Sequence, residues 1–504
     1  MSKAKAAAAA LAALTSLAAL SPLGAESLDV PSVVRQVLEN DPTVRIASEG
    51  VGIAYNAFNR AKADSLPQLS WVTDYSLLYK PELWSLNPLP PPESVLQAER
   101  YGSHALSTAL SYTQVLPTSG SLAVVLSHEV DVTTAKEEDA EYSQTPTLSV
   151  SLDQPVFYNG MFIDTSLLPA GIRREKIGYL KAEEQNRRSR NTAVLQTLDL
   201  YLGSLLLRKQ IDVAERILTL RQDSLKAVEN NYELGLAPET DVWEARIQLG
   251  KQREVLLEMR FNLRQSDGLL KASLGLEPGV ELELEDSVPE LSSTAGRDQL
   301  LAQALSANPL LREKVLALEQ EKLGLTLSGV NYAPMFTASL SLFPSYPAAR
   351  EDNSLAGSVS DYFEEGAGMN YRLSVGLSVP VYNGSKAAYE REVSLASQRL
   401  ALQEIELQRA AVERELESLL LSGSNLREKT ALLADNVSLL ARRAEIEKSL
   451  LELGRSTEAA VSSAQVELAS KQIDLWQAEI ELFRNALDIR SLAGDDIAAI
   501  LLER

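Results

Sequence analysis

The sequence predicts an α+β membrane protein made of two copies of one unit, each running helix, strands, long helix and return helix. Three observations predict it. The first is a strand ending written twice: "LSVSLDQPVFYNG" from Leu148 to Gly160, and "LSVGLSVPVYNG" from Leu373 to Gly384. The second is a set of landmarks in the same order in both halves. Pro42 and Pro67 are 25 residues apart, as are Pro309 and Pro334; Gly235 and Gly275 are 40 apart, as are Gly454 and Gly494. Such self-similarity marks an internal duplication of long period. The third is helical length, since no proline interrupts Gly171 to Tyr232 or Gly384 to Leu451. At 1.5 Å per residue these are rods of roughly 90 to 100 Å.

The chain opens as an exported one. Lys3 and Lys5 precede an apolar run from Ala6 to Leu20, and "SPLGA" follows, so residues 1–25 read as a secretory signal peptide. The apolar run is short of the roughly 20 residues that a spanning helix needs. Removing it leaves 46 basic and 69 acidic residues, a net charge of −23 that argues against nucleic acid as a partner. Cysteine is absent, which excludes disulfides, thiol chemistry and an N-terminal lipid acceptor.

Residues 26–280 form the first repeat. Its strands are expected at about 67–79, 105–116, 121–132 and 147–156, and its helical hairpin over 171–275 with a tip at 233–241. Residues 281–504 form the second, with strands at about 335–343 and 371–380 and a hairpin over 384–494 tipped at 452–458. Leu69, Trp71, Tyr75, Leu77 and Tyr79 share one strand face, opposite Gln68, Ser70, Asp74 and Ser76. Leu148, Val150 and Leu152 oppose Ser149, Ser151 and Asp153 in the same way, as Leu373, Val375 and Leu377 oppose Ser374, Gly376 and Ser378. In the helices, apolar steps of three, four and seven give coiled-coil spacing, as from Leu426 through Leu433 and Val437 to Leu440 and Ala444. Gly203-Ser204 and Gly423-Ser424 are candidate sites of bending near mid-helix.

With no long apolar helix in the mature sequence, an exported chain can cross a bilayer only as a closed β-barrel. The strands have the length and alternation of spanning strands. One chain supplies too few of them to close even the smallest such barrel, of eight strands, so closure requires several chains. From Pro67 to Pro155 is 88 residues but from Pro334 to Pro380 only 46. The surplus contains the proline-rich "KPELWSLNPLPPPE", expected as an exposed loop, and an extra hairpin turned at Pro117–Gly120 that either joins the barrel or projects from it.

The duplication, the "DQPVFYNG" and "VPVYNG" corners and the tip "YELGLAPETDVWEA" resemble the TolC-like outer-membrane efflux protein family, from about Leu28 to Ala493. The resemblance implies a homotrimer whose chains jointly form a β-barrel in the outer membrane, with a long α-helical coiled-coil barrel in the periplasm. It implies a passive exit duct for efflux or export of small molecules, working with a periplasmic adaptor and an inner-membrane pump. Type I protein secretion is the alternative within the family, and a periplasmic coiled-coil scaffold is the alternative of another class. Pro155 with Gly160, and Pro380 with Gly384, become the strand-to-helix corners; the prolines can end a ladder and the glycines permit a sharp turn. The adaptor-contact positions become Leu234, Gly235, Leu236, Leu453, Gly454 and Arg455. Glycine followed by Pro238 is also ordinary helix-ending chemistry. Acidic rings known in the family six and nine residues after the second tip glycine fall here on Ala460 and Ser463. The nearest acids are Glu458 and, after the first tip, Asp241, which could equally cap its helix.

Enzymatic chemistry finds no footing. No nucleotide-binding or metalloprotease motif appears, and neither a cofactor nor a metal is implied. The two histidines, His104 and His128, could meet across the hairpin turned at Pro117–Gly120, as a structural pair rather than a metal site. Glu137-Glu138-Asp139 and Glu364-Glu365 read as solvated linker charge.

Overall fold

The computed structural model describes residues 27–86, 96–135, 141–157, 162–163, 165, 167–285, 296–328, 332–344 and 369–503. Residues 1–25, read above as a signal peptide, Gly160 and both linker acid clusters lie outside them. The chain divides into two compact units. One takes in the chain up to Val51, Ala182–Lys314 and Glu404–Arg504; the other takes in Gly52–Lys181 and Val315–Gln403.

The first unit is helical. Helix α1 (Val30–Asn40) starts at a capping box: the Asp29 carboxylate accepts from the Ser32 amide at 2.9 Å, and the Ser32 hydroxyl accepts from the Asp29 amide at 3.0 Å. Val30, Val33, Val34 and Val37 recur at helical spacing and are buried. They join Leu198, Tyr201 and Leu202 of α3 (Leu167–Glu233), Leu270 and Leu274 of α4 (Glu239–Leu274), and Phe483 and Leu487 of α8 (Glu458–Leu492) in one core. Two-residue strands β1 (Ser27–Leu28) and β6 (Glu283–Leu284) pair in parallel beside it. The fully buried Tyr201 hydroxyl lies 3.0 Å from the Leu28 carbonyl and 2.9 Å from that of Glu285, tying the chain's early segment to the segment where the second repeat begins.

Several packing features recur at matching places in the two halves. Helix α2 (Pro42–Ala63) and helix α6 (Pro309–Ser328) are each preceded by a side-chain cap, Asp41 accepting from Thr43 and Val44 amides and Asn308 from that of Leu311. Return helix α4 ends on Gly275 at φ 71° and α8 on Gly494 at φ 87°, each in a Schellman turn. A Cβ on Gly275 would meet Asn40, and one on Gly494 would meet Ala307, the residue at the matching place before α6. Of the predicted bend sites, Ser204 is fully buried with its hydroxyl 2.8 Å from that of Ser266, and Gly423 leaves room for Asn485, whose amide donates to the Leu419 carbonyl. Both are places of close helix approach.

The second unit carries one antiparallel sheet of six strands among the described residues. Its order is β2 (Gln68–Leu86), β3 (Leu96–Val115), β4 (Ser121–Ala135), β5 (Glu141–Pro155), β7 (Met335–Pro344), β8 (Met369–Ser378). Two expectations are corrected here. Strands β2 and β3 run well past 79 and start well before 105. The stretch from Lys80 to Leu86 is not loop but strand, with the register shifting between Lys80 and Leu83 around Pro81. Proline is tolerated because β2 is an edge strand and the irregularity spares the ladder a missing donor. The extra hairpin occupies the middle of the sheet, with β3 bonded to β2 and β4 bonded to β5.

Register sorts the side chains into two faces. One row across all six strands reads Trp71, Leu110, Leu126, Leu148, Leu342 and Tyr371. The row beside it reads Leu69, Tyr112, Val124, Val150, Leu340 and Leu373. The opposite face is lined by small polar residues, as in Gln68, Thr113, Ala123, Ser151, Ser339 and Ser374. The register also separates the histidines: His104 faces Val132 while His128 faces Thr108, four residues along the ladder, or about 13 Å. They do not meet. His104 bonds instead to the Tyr75 hydroxyl at 2.7 Å, and no group of His, Asp or Glu among the described residues is arranged to hold a metal.

Candidate functional site

Two helical hairpins of the first unit end in tips of the same construction. At the first, α3 gives way to α4 through residues 234–238; the Gly235 amide bonds the Tyr232 carbonyl and the Leu236 amide that of Asn231. At the second, α7 (Lys386–Glu452) gives way to α8, with Gly454 bonded to Leu451 and Arg455 to Leu450. Both are Schellman turns, with Gly235 at φ 67° and Gly454 at φ 69°. No Cβ would clash at either glycine, so φ alone selects the residue. The turn chemistry holds outward what the tips present. Leu234, Leu236 and Leu453 are 72%, 75% and 70% exposed, and Arg455, two residues after Leu453, is exposed as well. Ser456 is tied back to Glu447 at 2.8 Å, and Glu229 pairs with Arg246 across the first hairpin at 2.9 Å.

The aperture candidates are arranged differently at the two tips. Thr457 caps α8 by accepting from the Ala460 amide at 3.2 Å, so Ala460 occupies the third helical position, and Ser463 is exposed a turn further on. Glu458 is the first residue of α8, and its side chain lies outside the described residues. Asp241 does not cap α4: Pro238 holds the cap position with no side-chain bond, and Asp241 is three residues inside the helix. In that first turn its charge, with that of Glu239, complements the helix dipole. Sequence reading passed over Glu244, nine residues after Gly235. Asp241 and Glu244 line the same shallow cleft of about 180 Å³ as Arg221 and Gln248.

At the strand-helix corners, Pro155 is the last residue of β5, and the next amide, of Val156, still bonds the Pro334 carbonyl at 2.8 Å. Phe157 then takes φ 55° and packs edge-on against Phe162, with ring centroids 4.9 Å apart. Pro380 lies beyond the end of β8, and the left-handed residues there are Gly384 and Ser385. The corner of the first repeat is held from beneath by Gln154, whose side-chain amide donates to the Thr118 and Pro155 carbonyls at 3.1 and 2.9 Å.

A groove of about 530 Å³ on the first unit joins α3, α7 and α8, with Leu202, Leu206, Leu419 and Ile480 in its wall. Arg484 sits between two carboxylates there, 2.8 Å from Asp199 and 3.0 Å from Asp488. Burial pushes both carboxyls above the ordinary range. Arg484 partly offsets this in each, while Asp199 and Glu415 push Asp488 further up. A raised carboxyl disfavours the folded state once ionised, so stability rises as pH falls from neutral through the raised values toward the ordinary range. Asp488→Asn should therefore unfold at a higher temperature than the parent at pH 7, with the difference closing at pH 4. A lower midpoint at pH 7 would show that the Arg484 pairing outweighs the burial.

Residues 117–276 match the model of the family described as outer membrane efflux protein. No curated protein matches the sequence. Among solved structures, the chain is similar to the outer-membrane channel OprN at 15% identity and TM-score 0.61, over 92% of this chain and 89% of that one. It is similar to VceC, an outer membrane protein of Vibrio cholerae, at 14% identity and TM-score 0.59, over 92% and 96%. It is similar to the Campylobacter jejuni CmeC outer membrane channel at 11% identity and TM-score 0.63, over 92% and 85%.

Proposed function

We propose that this chain, an outer membrane efflux protein by its matched domain and by its fold, assembles as a homotrimer into a passive outer-membrane exit duct whose helical part stands in the periplasm. The observation that carries the reading is the sheet. Its apolar face continues across all six strands, and its two edges, β2 and β8, have no partner strand among the described residues. An open edge in a bilayer leaves a row of amides and carbonyls unsatisfied. Six alternating strands run β2 opposite in direction to β8, so β8 of one copy can pair antiparallel with β2 of the next. The ring then closes with its apolar face to lipid and its small polar face to water.

Helix α7 supports self-assembly. Leu407 and Leu421, two heptads apart, and then Leu432, Leu439 and Ile446, one heptad apart, are all exposed. This is a seam at coiled-coil spacing, with one eleven-residue step, and a second copy would cover it. No residue constellation supplies an energy source, so the duct depends on an inner-membrane pump. The exposed leucines at both tips, with Arg455, suit a periplasmic adaptor.

Two measurements test the reading. After alkaline and urea washing the protein should remain with the outer membrane, extract as a particle of three chain masses and conduct in a planar bilayer. A washable, non-conducting protein would favour the periplasmic scaffold. At the tip, Arg455→Glu should weaken capture of the native adaptor while trimer mass and conductance persist, with the loss growing as salt is lowered. Unchanged capture by Arg455→Glu and by Gly454→Pro alike would move the docking site away from this tip.

A further inference from the structure

Four strands come from the first repeat and two from the second, and the difference has a consequence for what the duct can pass. In the second repeat β7 and β8 are direct neighbours. Their counterparts β2 and β5 are instead held apart by β3 and β4. The inserted hairpin is bonded along its length on both sides. Its own ladder is unbroken from Val115 opposite Ser121 to Tyr101 opposite Ala135, and β4 meets β5 from Ser121 opposite Asp153 to Thr133 opposite Glu141. Its apolar residues Leu110 and Leu126, and Tyr112 and Val124, stand in the rows that cross the whole sheet. A hairpin that plugged or overhung the barrel would break those rows.

We infer that the β3–β4 hairpin is part of the barrel wall, so that three chains close eighteen strands around a lumen wide enough for an unfolded chain as well as for small molecules. The inference rests on the trimer proposed above. Strands lie about 4.8 Å apart, and at a tilt of about 40° each takes about 6.3 Å of circumference. Eighteen strands then give a backbone diameter of about 36 Å, where twelve would give about 24 Å. Side chains set how much of that is open. The polar face is lined on the hairpin by Ser111, Ala109 and Ser107 of β3 and by Ala123, Val125, Ser127, Glu129 and Asp131 of β4. The small residues reach only about 5 Å inward from the wall, which leaves about 26 Å at their level, and the longer Glu129 and Asp131 narrow the lumen and line it with negative charge.

Electron microscopy of the full chain in lipid nanodiscs, with native mass spectrometry of the same sample, reads both quantities without depending on whether the helical end is open. Eighteen strands around a wall about 36 Å across, in a particle of three chain masses, is the expected result. Twelve strands in a three-chain particle would overturn the inference and leave the trimer standing. Another multiple of six strands, in a particle of the matching mass, would overturn the trimer and keep the hairpin in the wall. A variant lacking Leu96–Ala140 gives the second arm. If it assembles, its wall should shrink by about a third and it should exclude polymers, added from the outer side, that the parent admits; an unchanged wall would refute the hairpin's place in it.

Discussion

Gly494→Ala should be the most damaging single-methyl change in the helical unit. Two costs add there. The residue has φ 87°, outside the region that side-chain-bearing residues prefer, which costs about 1 kcal/mol. The new methyl would also stand 2.2 Å from the Ala307 carbonyl oxygen and 2.6 Å from its carbon. Those are backbone atoms and cannot rotate away, so the α8 terminus must shift. The neighbourhood resists the shift: Asn308 donates to the Leu492 carbonyl at 3.0 Å, Asn191 to that of Asp495 at 2.8 Å, and Gln303 to the Asp495 carboxylate at 2.8 Å. The total should be on the order of 3 kcal/mol or more. Gly454→Ala is the control, because it has the same backbone sign and open space around it. It should cost about 1 kcal/mol. Denaturant midpoints of the extracted protein, followed by helical dichroism, compare the two. Equal losses would mean that the contact with Ala307 has relaxed and that conformation alone decides both.

The comparison also shows why this junction was legible beforehand and others were not. Gly235, Gly275, Gly454 and Gly494 stood out by spacing, and all four prove to be left-handed helix ends. A rule of local backbone chemistry leaves its mark on one residue, so sequence displays it. The alternation that separated Leu148, Val150 and Leu152 from Ser149, Ser151 and Asp153 is equally local, and the faces follow it. What sequence withheld was long-range. Pro81 and its charged neighbours hid the continuation of β2, because the ladder beyond them is decided by β3 and not by local propensity. Both histidines lie in one hairpin and could have met; the turn at Pro117–Gly120 sets a register that puts them four residues apart. Asp199 gave no signal, since its pairing with Arg484 joins helices of different repeats, while Asp488 lies four residues beyond Arg484 on the same helix, a spacing that reads as ordinary surface charge. Of the tips, the turn geometry was readable while the asymmetry of their acids was half seen, with Asp241 noticed and Glu244 missed.

The largest effect of all should separate two adjacent residues of β4. Leu126 stands in the row with Leu110 and Leu148, and Ser127 faces the other way between Ala109 and Thr147. Leu126 is five residues past the start of β4 at Ser121. At about 3.3 Å per residue and a tilt of about 40° that is about 13 Å in depth, half of an apolar band about 25 Å tall. Leu126→Lys would therefore put a cation at the middle of the bilayer, at about 2 to 4 kcal/mol per copy. In a trimer the three copies add, and on the order of 6 to 12 kcal/mol is comparable with the whole stability of an ordinary fold. The variant should fail to accumulate in the outer membrane. Ser127→Lys, on the water-facing side among small neighbours, should accumulate normally and shift the channel's ion preference toward anions, since a ring of cations in the lumen favours them. Outer-membrane yield and reversal potentials under a salt gradient read the two outcomes. Should Leu126→Lys insert as well as Ser127→Lys, the face bearing Trp71, Leu110 and Leu148 does not meet lipid. Should Ser127→Lys be the one that is lost, the sheet is turned inside out relative to this reading.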